Sequence, residues 1–262
     1  MNSKIAEMPP LAGRAGQYRD EAPVPLLRRH FRCVWTNSIP DDHVGPIAVV
    51  PDGCVDLLWR EGALRVAGPD VTSATPIPQP GATIIGARFQ PGAARNWLGL
   101  PMSEIVGLQI DLAELWGRRA SEMSDRIGQV STLEEQSALL QRELLRLMPE
   151  KDEPARDAAA VFGLMQRDAA EPGTKISIIL DRLDTSERTL RRRCHEQFGY
   201  GPKTLDRILR FQRLLALAIA SPGTALSGMA YEVGYADQAH LSREVKDLTG
   251  FSAQALVKQV AA

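Results

Sequence analysis

The 262-residue chain holds only three cysteines, Cys33, Cys54 and Cys194, an odd number with wide spacing. They form no CxxC pair and no disulfide framework, which fits a reducing compartment. No apolar run approaches the ~20 residues needed to cross a bilayer. Met1–Pro10 lacks the apolar stretch of a signal peptide, so a cytoplasmic protein with no membrane partner is expected. No G-x-S-x-G stretch is present, which argues against a hydrolase with a nucleophile elbow. Gly86-Ala-Arg-Phe-Gln has no phosphate-loop lysine and serine, which argues against nucleotide hydrolysis. No cofactor motif emerges.

Net charge is also scarce, at −1 overall, but it is unevenly placed. Residues 174–262 carry thirteen Lys+Arg against nine Asp+Glu, and the preceding 173 carry eighteen against twenty-three. An acidic front and a basic back place nucleic-acid contact in the carboxy-terminal part.

With 44% hydrophobic and 24% charged residues the composition is that of a globular protein, and the length suggests two domains. Residues 1–20 read as a loose lead-in. Between about Pro23 and Gly99, short apolar runs are broken by Pro and Gly: Pro46–Val50, Val55–Trp59, Ala63–Ala67 and Ala82–Phe89. Runs of this length bounded by turn formers such as Pro51-Asp52-Gly53 predict strands. After them the chain reads as helical. Asp111–Trp116 is short, and Ser131 with Glu134 has capping-box spacing ahead of an amphipathic stretch ending near Met148. Pro149–Pro154 is the linker candidate, and Ala155–Ala170 is helical again, stopped by Glu171-Pro-Gly173. The expected class is α+β: a β-rich, sensor-like domain over 1–150, a partial barrel, then an all-α domain over 154–262 with two helix-turn-helix units joined by a long linker helix.

That second half contains an internal repeat. Ile178–Leu190 can be laid over Leu226–Leu241, each an apolar helix, a turn, a polar capping position and a second amphipathic helix. In the first unit Ser186 caps a helix whose Leu190, Cys194 and Phe198 make an apolar stripe. Arg188, Arg191, Arg192 and His195 fall on the opposite face. Arginine's planar fork can hold guanine O6 and N7, or clamp phosphate. In the second unit Leu241, Val245 and Leu248 face inward, while Gln238, Ala239, Ser242, Arg243 and Lys246 face outward. A plain solvated basic face is the competing reading of the first stripe, and a structural half touching phosphate that of the second. Thr204–Ala220 reads as one helix holding the units roughly 25 Å apart, with Arg207, Arg210 and Arg213 expected on phosphate.

Thr185–Lys203, the helix beginning Thr204–Phe211, and Ala230–Lys246 resemble the DNA-binding domain of the AraC/XylS family of bacterial transcription regulators, over about residues 155–256. The resemblance implies two helix-turn-helix units reading adjacent major-groove segments of double-stranded promoter DNA. It places base reading on Arg188, Arg191 and Arg192, then on Gln238, Ala239, Ser242 and Arg243. Leu180, Asp184, Cys194 and Val245 depart from the family's usual alanine, glycine and two phenylalanines. Val49–Trp59 and Gly86–Pro101 resemble a domain of unknown function often attached to such regulators. The family uses its front domain to sense a small molecule, to dimerise, or both.

Trp35, Trp59, Phe89 and Trp97, with Arg88 or Arg95 to meet an anionic group, are candidates for a pocket; an ordinary aromatic core is the alternative. Cys54 lies beside Asp52 and Asp56 rather than cations, which favours a core thiol over a redox or alkylation sensor. His30, Cys33, His43 and Cys54 match no structural-zinc spacing. A DNA-alkylation-repair fusion using Cys54 would need a clustered four-cysteine zinc site, and the front holds two cysteines. A regulator without a ligand, whose front domain only dimerises or touches RNA polymerase, stays open beside the effector-responsive one.

Overall fold

The computed structural model describes residues 8–148, 156–167 and 174–261. The expected linker at Pro149–Pro154 and the expected stop at Glu171–Gly173 lie outside the described residues. The fold is α+β: an antiparallel sheet with helices on one face, then a helical carboxy-terminal region.

Six strands, β1 (Gln17–Glu21), β2 (Phe31–Ser38), β3 (Asp56–Arg60), β4 (Ala63–Ala67), β5 (Thr83–Phe89) and β6 (Gln109–Asp111), form one open sheet in the order β1-β2-β5-β3-β4-β6. The tightest turn joins β3 to β4, with Arg60 opposite Ala63. Glu61 and Gly62 between them both have positive φ, 54° and 76°, the backbone of a two-residue turn whose twist matches the strands. An open sheet stands where a partial barrel was expected, and Pro46–Val50 contributes only isolated bridges at Ala48 and Val49. The lead-in is not loose from residue 8 onward. It supplies β1, and Pro9 and Leu11 hydrogen-bond Gln259 near the carboxy terminus.

Alternation along the strands sends Leu57, Trp59, Ile85, Ala87 and Phe89 to one face, where α1 (Ala94–Leu98), α2 (Leu112–Trp116), α3 (Arg118–Gly128) and α4 (Leu133–Leu147) complete an apolar core around Phe31, Met102, Met123, Ile127 and Leu140. Thr132, not Ser131, caps α4: its hydroxyl accepts from the Glu135 amide and the Glu135 carboxylate accepts from its own.

The helical region runs α5 (Arg156–Arg167), α6 (Thr174–Arg182), α7 (Glu187–Phe198), α8 (Pro202–Ala220), α9 (Leu226–Glu232), α10 (Gln238–Thr249) and α11 (Ala253–Ala261). Helices α6 and α7 form one helix-turn-helix, α9 and α10 the other, and α8 joins them. Proline at the start of α8 forfeits only an amide that has no partner in a first turn. Phe162, Met165, Leu190, Leu205, Phe211, Leu214, Met229, Leu241 and Leu256 share one core.

The sheet region and the helical region meet along a tight seam. A Cβ added to Gly199, which caps α7, would lie 2.7 Å from Val106, 2.8 Å from Pro69 and 3.1 Å from the Met102 carbonyl oxygen. One added to Gly92 would lie 2.3 Å from Ala158. Gln212 on α8 donates to the Pro51 carbonyl at 2.6 Å, and the Ser73 amide donates to the Leu248 carbonyl of α10 at 2.9 Å. The front part therefore touches both helix-turn-helix units.

Candidate nucleic-acid interface

Each unit's second helix is defined by its caps. The Ser186 hydroxyl accepts from the Thr189 amide at 3.2 Å to start α7, and Gly199 ends it with φ 86°. The Asp237 carboxylate accepts from the His240 amide at 2.6 Å to start α10, and Gly250 ends it with φ 73°. These are ordinary N-caps and left-handed C-caps. Both helices are twelve residues long, so caps and lengths together place them in register, residue for residue.

On α7 the buried stripe is Leu190, Cys194 and Phe198. Arg188, Arg191 and Arg192 are exposed on the far side and His195 is half-buried. With Glu187 these four border an open, solvent-filled hollow of about 430 Å³ formed by α7 side chains alone. Arg192 also reaches one turn forward along the helix to Glu196, 3.0 Å away. Arg193 leaves the face to pair with Asp157 at 2.7 Å. On α10 Leu241, Val245 and Leu248 are buried, Gln238, Ala239, Arg243 and Lys246 are exposed, and Ser242 is half-buried. Lys246 bends back to donate to the Gly250 carbonyl oxygen. The structure thus gathers the expected residues into one outward face per unit.

Of the linker-helix arginines Arg210 is buried away from those faces, which corrects the expectation of a phosphate contact there; Arg207 and Arg213 are half-buried and engaged within the protein. Arg210 is 4% exposed, pairs with Asp206 at 3.0 Å and Glu244 at 3.5 Å, and lies over the Tyr235 ring at 5.0 Å. Arg207 pairs with Glu244 at 3.2 Å. Arg213 donates to the carbonyl oxygens of Met165 and Gln166 at the end of α5. Arg210 points inward, Arg207 and Arg213 are half-buried, and together their guanidinium groups tie α8 to the end of α5, to the turn before α10 and to α10 itself.

The front-domain pocket is also corrected. Trp59 and Phe89 lie in the core on the helix-covered face of the sheet, and Trp97 packs there on Phe31. Strand alternation puts Trp35 and Arg88 on the other face. There Trp35 lies across Gly86, donates its indole N–H to Asp56 at 3.1 Å and packs tilted against the Tyr18 ring. Arg88 is held by Asp56 at 3.0 Å and Asp52 at 3.1 Å; burial works against its charge, but the two carboxylates raise its pKa. Arg95 points toward Glu196 of α7, 3.9 Å away. The six residues surround no common cavity. A hollow at the seam, between Gly53–Val55, Phe89–Gly92 and Gln197, has about 10 Å³, room for one water.

Cys54 sits at that seam, and burial, with Asp52 adding, pushes its thiol pKa well above the ordinary value. That is the reverse of what a reactive thiolate needs. Among the described residues no group of three or more His, Cys, Asp or Glu could hold a metal ion, so His30, Cys33, His43 and Cys54 form no cluster.

Three features escaped the sequence reading. The buried Asp206–Arg210–Glu244 network is one. Glu187 on the cationic face is another. The third is Asp70, whose carboxyl pKa is pushed up to about 6 by burial and by Asp52 and Asp56. The seam is also short of polar partners: among the described residues, buried Ser73 Oγ, Gln197 Oε1 and Tyr200 Oη have no hydrogen bond.

Two helix-turn-helix units on a stiff linker helix, each offering a polar outward face, define a DNA-binding regulator. Residues 179–259 match the family described as a helix-turn-helix domain, and residues 19–111 match a domain of unknown function. The carboxy-terminal part of the chain is a helix-turn-helix domain of the AraC type, and it follows that domain of unknown function. Among solved structures, ToxT from Vibrio cholerae O395 is similar at 12% identity, with 87% of this chain and 94% of that one covered and a TM-score of 0.45. Unsaturated fatty acid-bound wild-type ToxT from Vibrio cholerae strain SCE256 is similar at 12% identity, with 91% and 93% covered and a TM-score of 0.42. No curated protein matches the sequence significantly.

Proposed function

We propose that the chain is a cytoplasmic, sequence-specific regulator that reads two adjacent major-groove segments of promoter DNA. In this reading Arg188, Arg191, Arg192 and His195 act on one segment and Gln238, Ala239, Ser242, Arg243 and Lys246 on the other. The observation that carries it is the uncovered cationic face of α7, standing opposite a buried stripe and open on its outer side. Residues 1–150 form the unit that controls reading and 154–262 the unit that reads. Control passes through the seam, because the front part holds Gly199 at the end of α7 and Leu248 on α10. A small-molecule effector, a second copy of the chain or RNA polymerase would act by changing that hold.

The test is selection of duplexes from a randomised pool by the full-length protein, followed by binding at graded salt. A two-block motif is expected, with log affinity falling by about 0.9 per phosphate contact for each unit of log salt. Arg192→Ala is expected to cost about 1–3 kcal/mol of discrimination between the selected duplex and a scrambled one. Ser242→Ala should cost less. No enriched motif, or an affinity indifferent to salt, would overturn the reading. If instead Arg192→Ala weakened both duplexes alike and Ser242→Ala changed the preferred bases, α10 would be the principal reader.

A further inference from the structure

The cationic face of α7 contains one residue of the wrong sign. Glu187, the first residue of the helix, is exposed and borders the same open hollow as Arg188, Arg191, Arg192 and His195. A carboxylate has no donor to offer a phosphate, and it stands against the polyanion that its neighbours are placed to attract. The register of the two reading helices supplies a second observation. With Ser186 matching Asp237 and Gly199 matching Gly250, Glu187 occupies in α7 the place that Gln238 occupies in α10. Gln238 is itself exposed at the start of its helix, with chemistry that suits adenine.

We propose that Glu187 is a specificity-determining residue that accepts a hydrogen bond from the N4 amino group of a cytosine in the major groove, beside the bases read by the α7 arginines. The inference rests on the DNA-reading function proposed above. Cytosine is the base that fits. In the major groove it presents an amino donor and no acceptor, whereas adenine places N7 beside its amino group, and guanine and thymine present acceptors there. An acceptor-only side chain flanked by guanidinium groups therefore suits a cytosine next to guanine. The helix start also suits an acidic residue through its dipole, so the test has to separate capping from reading.

Full-length wild type, Glu187→Ala and Glu187→Gln are each used to select from one randomised duplex pool. Their affinities are then measured on the wild-type motif and on its single-base variants. The expected wild-type motif has a required cytosine in the block that Arg188→Ala also disturbs. Glu187→Ala should leave the other positions unchanged and lose roughly 5- to 150-fold discrimination at that cytosine. It should bind unrelated duplexes as tightly as wild type or more tightly, because a negative charge has left the surface. Glu187→Gln, which keeps the shape and adds a donor, should relax the position toward adenine. An unchanged motif in both variants, whether or not the melting temperature fell, would overturn the proposal and leave Glu187 as a helix-start residue. A wild-type protein that selects no motif would instead defeat the DNA-reading function itself.

Discussion

Helices α7 and α10 share a length, a pair of caps and a buried stripe, yet they are supported by different physics. The far end of α7 rests on the front half through close, mostly apolar contacts of Pro69, Val106 and Met102 around Gly199. α10 is tied to the linker helix by charge, through Glu244 with Arg207 and Arg210. Apolar packing is intolerant of added volume, whereas a buried ion network is intolerant of losing a charge of either sign. The front half therefore meets the first unit through close packing and the second through the Ser73–Leu248 hydrogen bond, and the second unit depends in addition on the charges of its own scaffold.

The largest test removes one member of the network. Arg210→Met leaves Asp206 and Glu244 buried without that guanidinium, and about 3–5 kcal/mol of stability should be lost in urea unfolding. A loss below 1 kcal/mol, by the same yardstick, would mean that water reaches the cluster and that the contrast between the units is overstated.

The next compares equivalent glycines. Gly199→Ala meets both a left-handed backbone and the front half, and should cost about 2–4 kcal/mol. Gly250→Ala has nothing within 4 Å of the new Cβ and should cost only the backbone strain, about 1–2 kcal/mol. Equal losses in parallel denaturation curves would erase the difference in support.

A pH experiment examines the front half's side of the seam. Asp70 lies between Pro69 and Val71, both packed toward the helical region, and binds its proton more tightly when folded, with a pKa near 6 against 3.8. Its favourable contribution is full below about 3.8 and is lost as pH rises through 6. Asp70→Asn should thus melt higher than wild type at pH 7.5, with the gap closing toward pH 4. A gap that is constant with pH would show that neither burial nor Asp52 and Asp56 raises the Asp70 pKa.

The smallest effect concerns the turns. Gly234 turns the second unit with φ 86°, whereas Asp184 turns the first with φ 42°. Aspartate tolerates that region better than most side chains but still pays for it. Asp184→Gly should raise stability by about 0.5–1 kcal/mol, read as a higher melting temperature.

These contrasts also mark what could be read in advance. Caps, turns and the apolar stripes of α7 and α10 are set by residues within four positions of one another, so the sequence displays them directly. The α4 cap was misplaced by one because Ser131–Glu134 and Thr132–Glu135 have the same spacing and only the backbone chooses between them. Strands β1 and β2 lack a plain apolar run. The pocket failed for a longer-range reason: whether Trp35 and Trp59 share a side depends on the register of β2 and β3 through β5, which no local pattern encodes. Likewise Arg210 reads as one more basic residue until Glu244, thirty-four positions on, is folded against it.

The glycines of the seam carry a consequence for how such a protein can be recombined. Gly53 faces Phe162, Tyr200 and Leu205, Gly92 faces Ala158, and Gly199 faces Val106 and Pro69. Gly92 and Gly199 have no room for a Cβ because of residues contributed from the other side, whereas Gly53 is held to glycine by its positive φ of 77°. The two halves are thus matched like the faces of a mould, and a reading half grafted behind a foreign front would meet side chains where it is shaped for hydrogen. Chimaeras that exchange the halves should recover specific binding only when both sides of the seam are transplanted together.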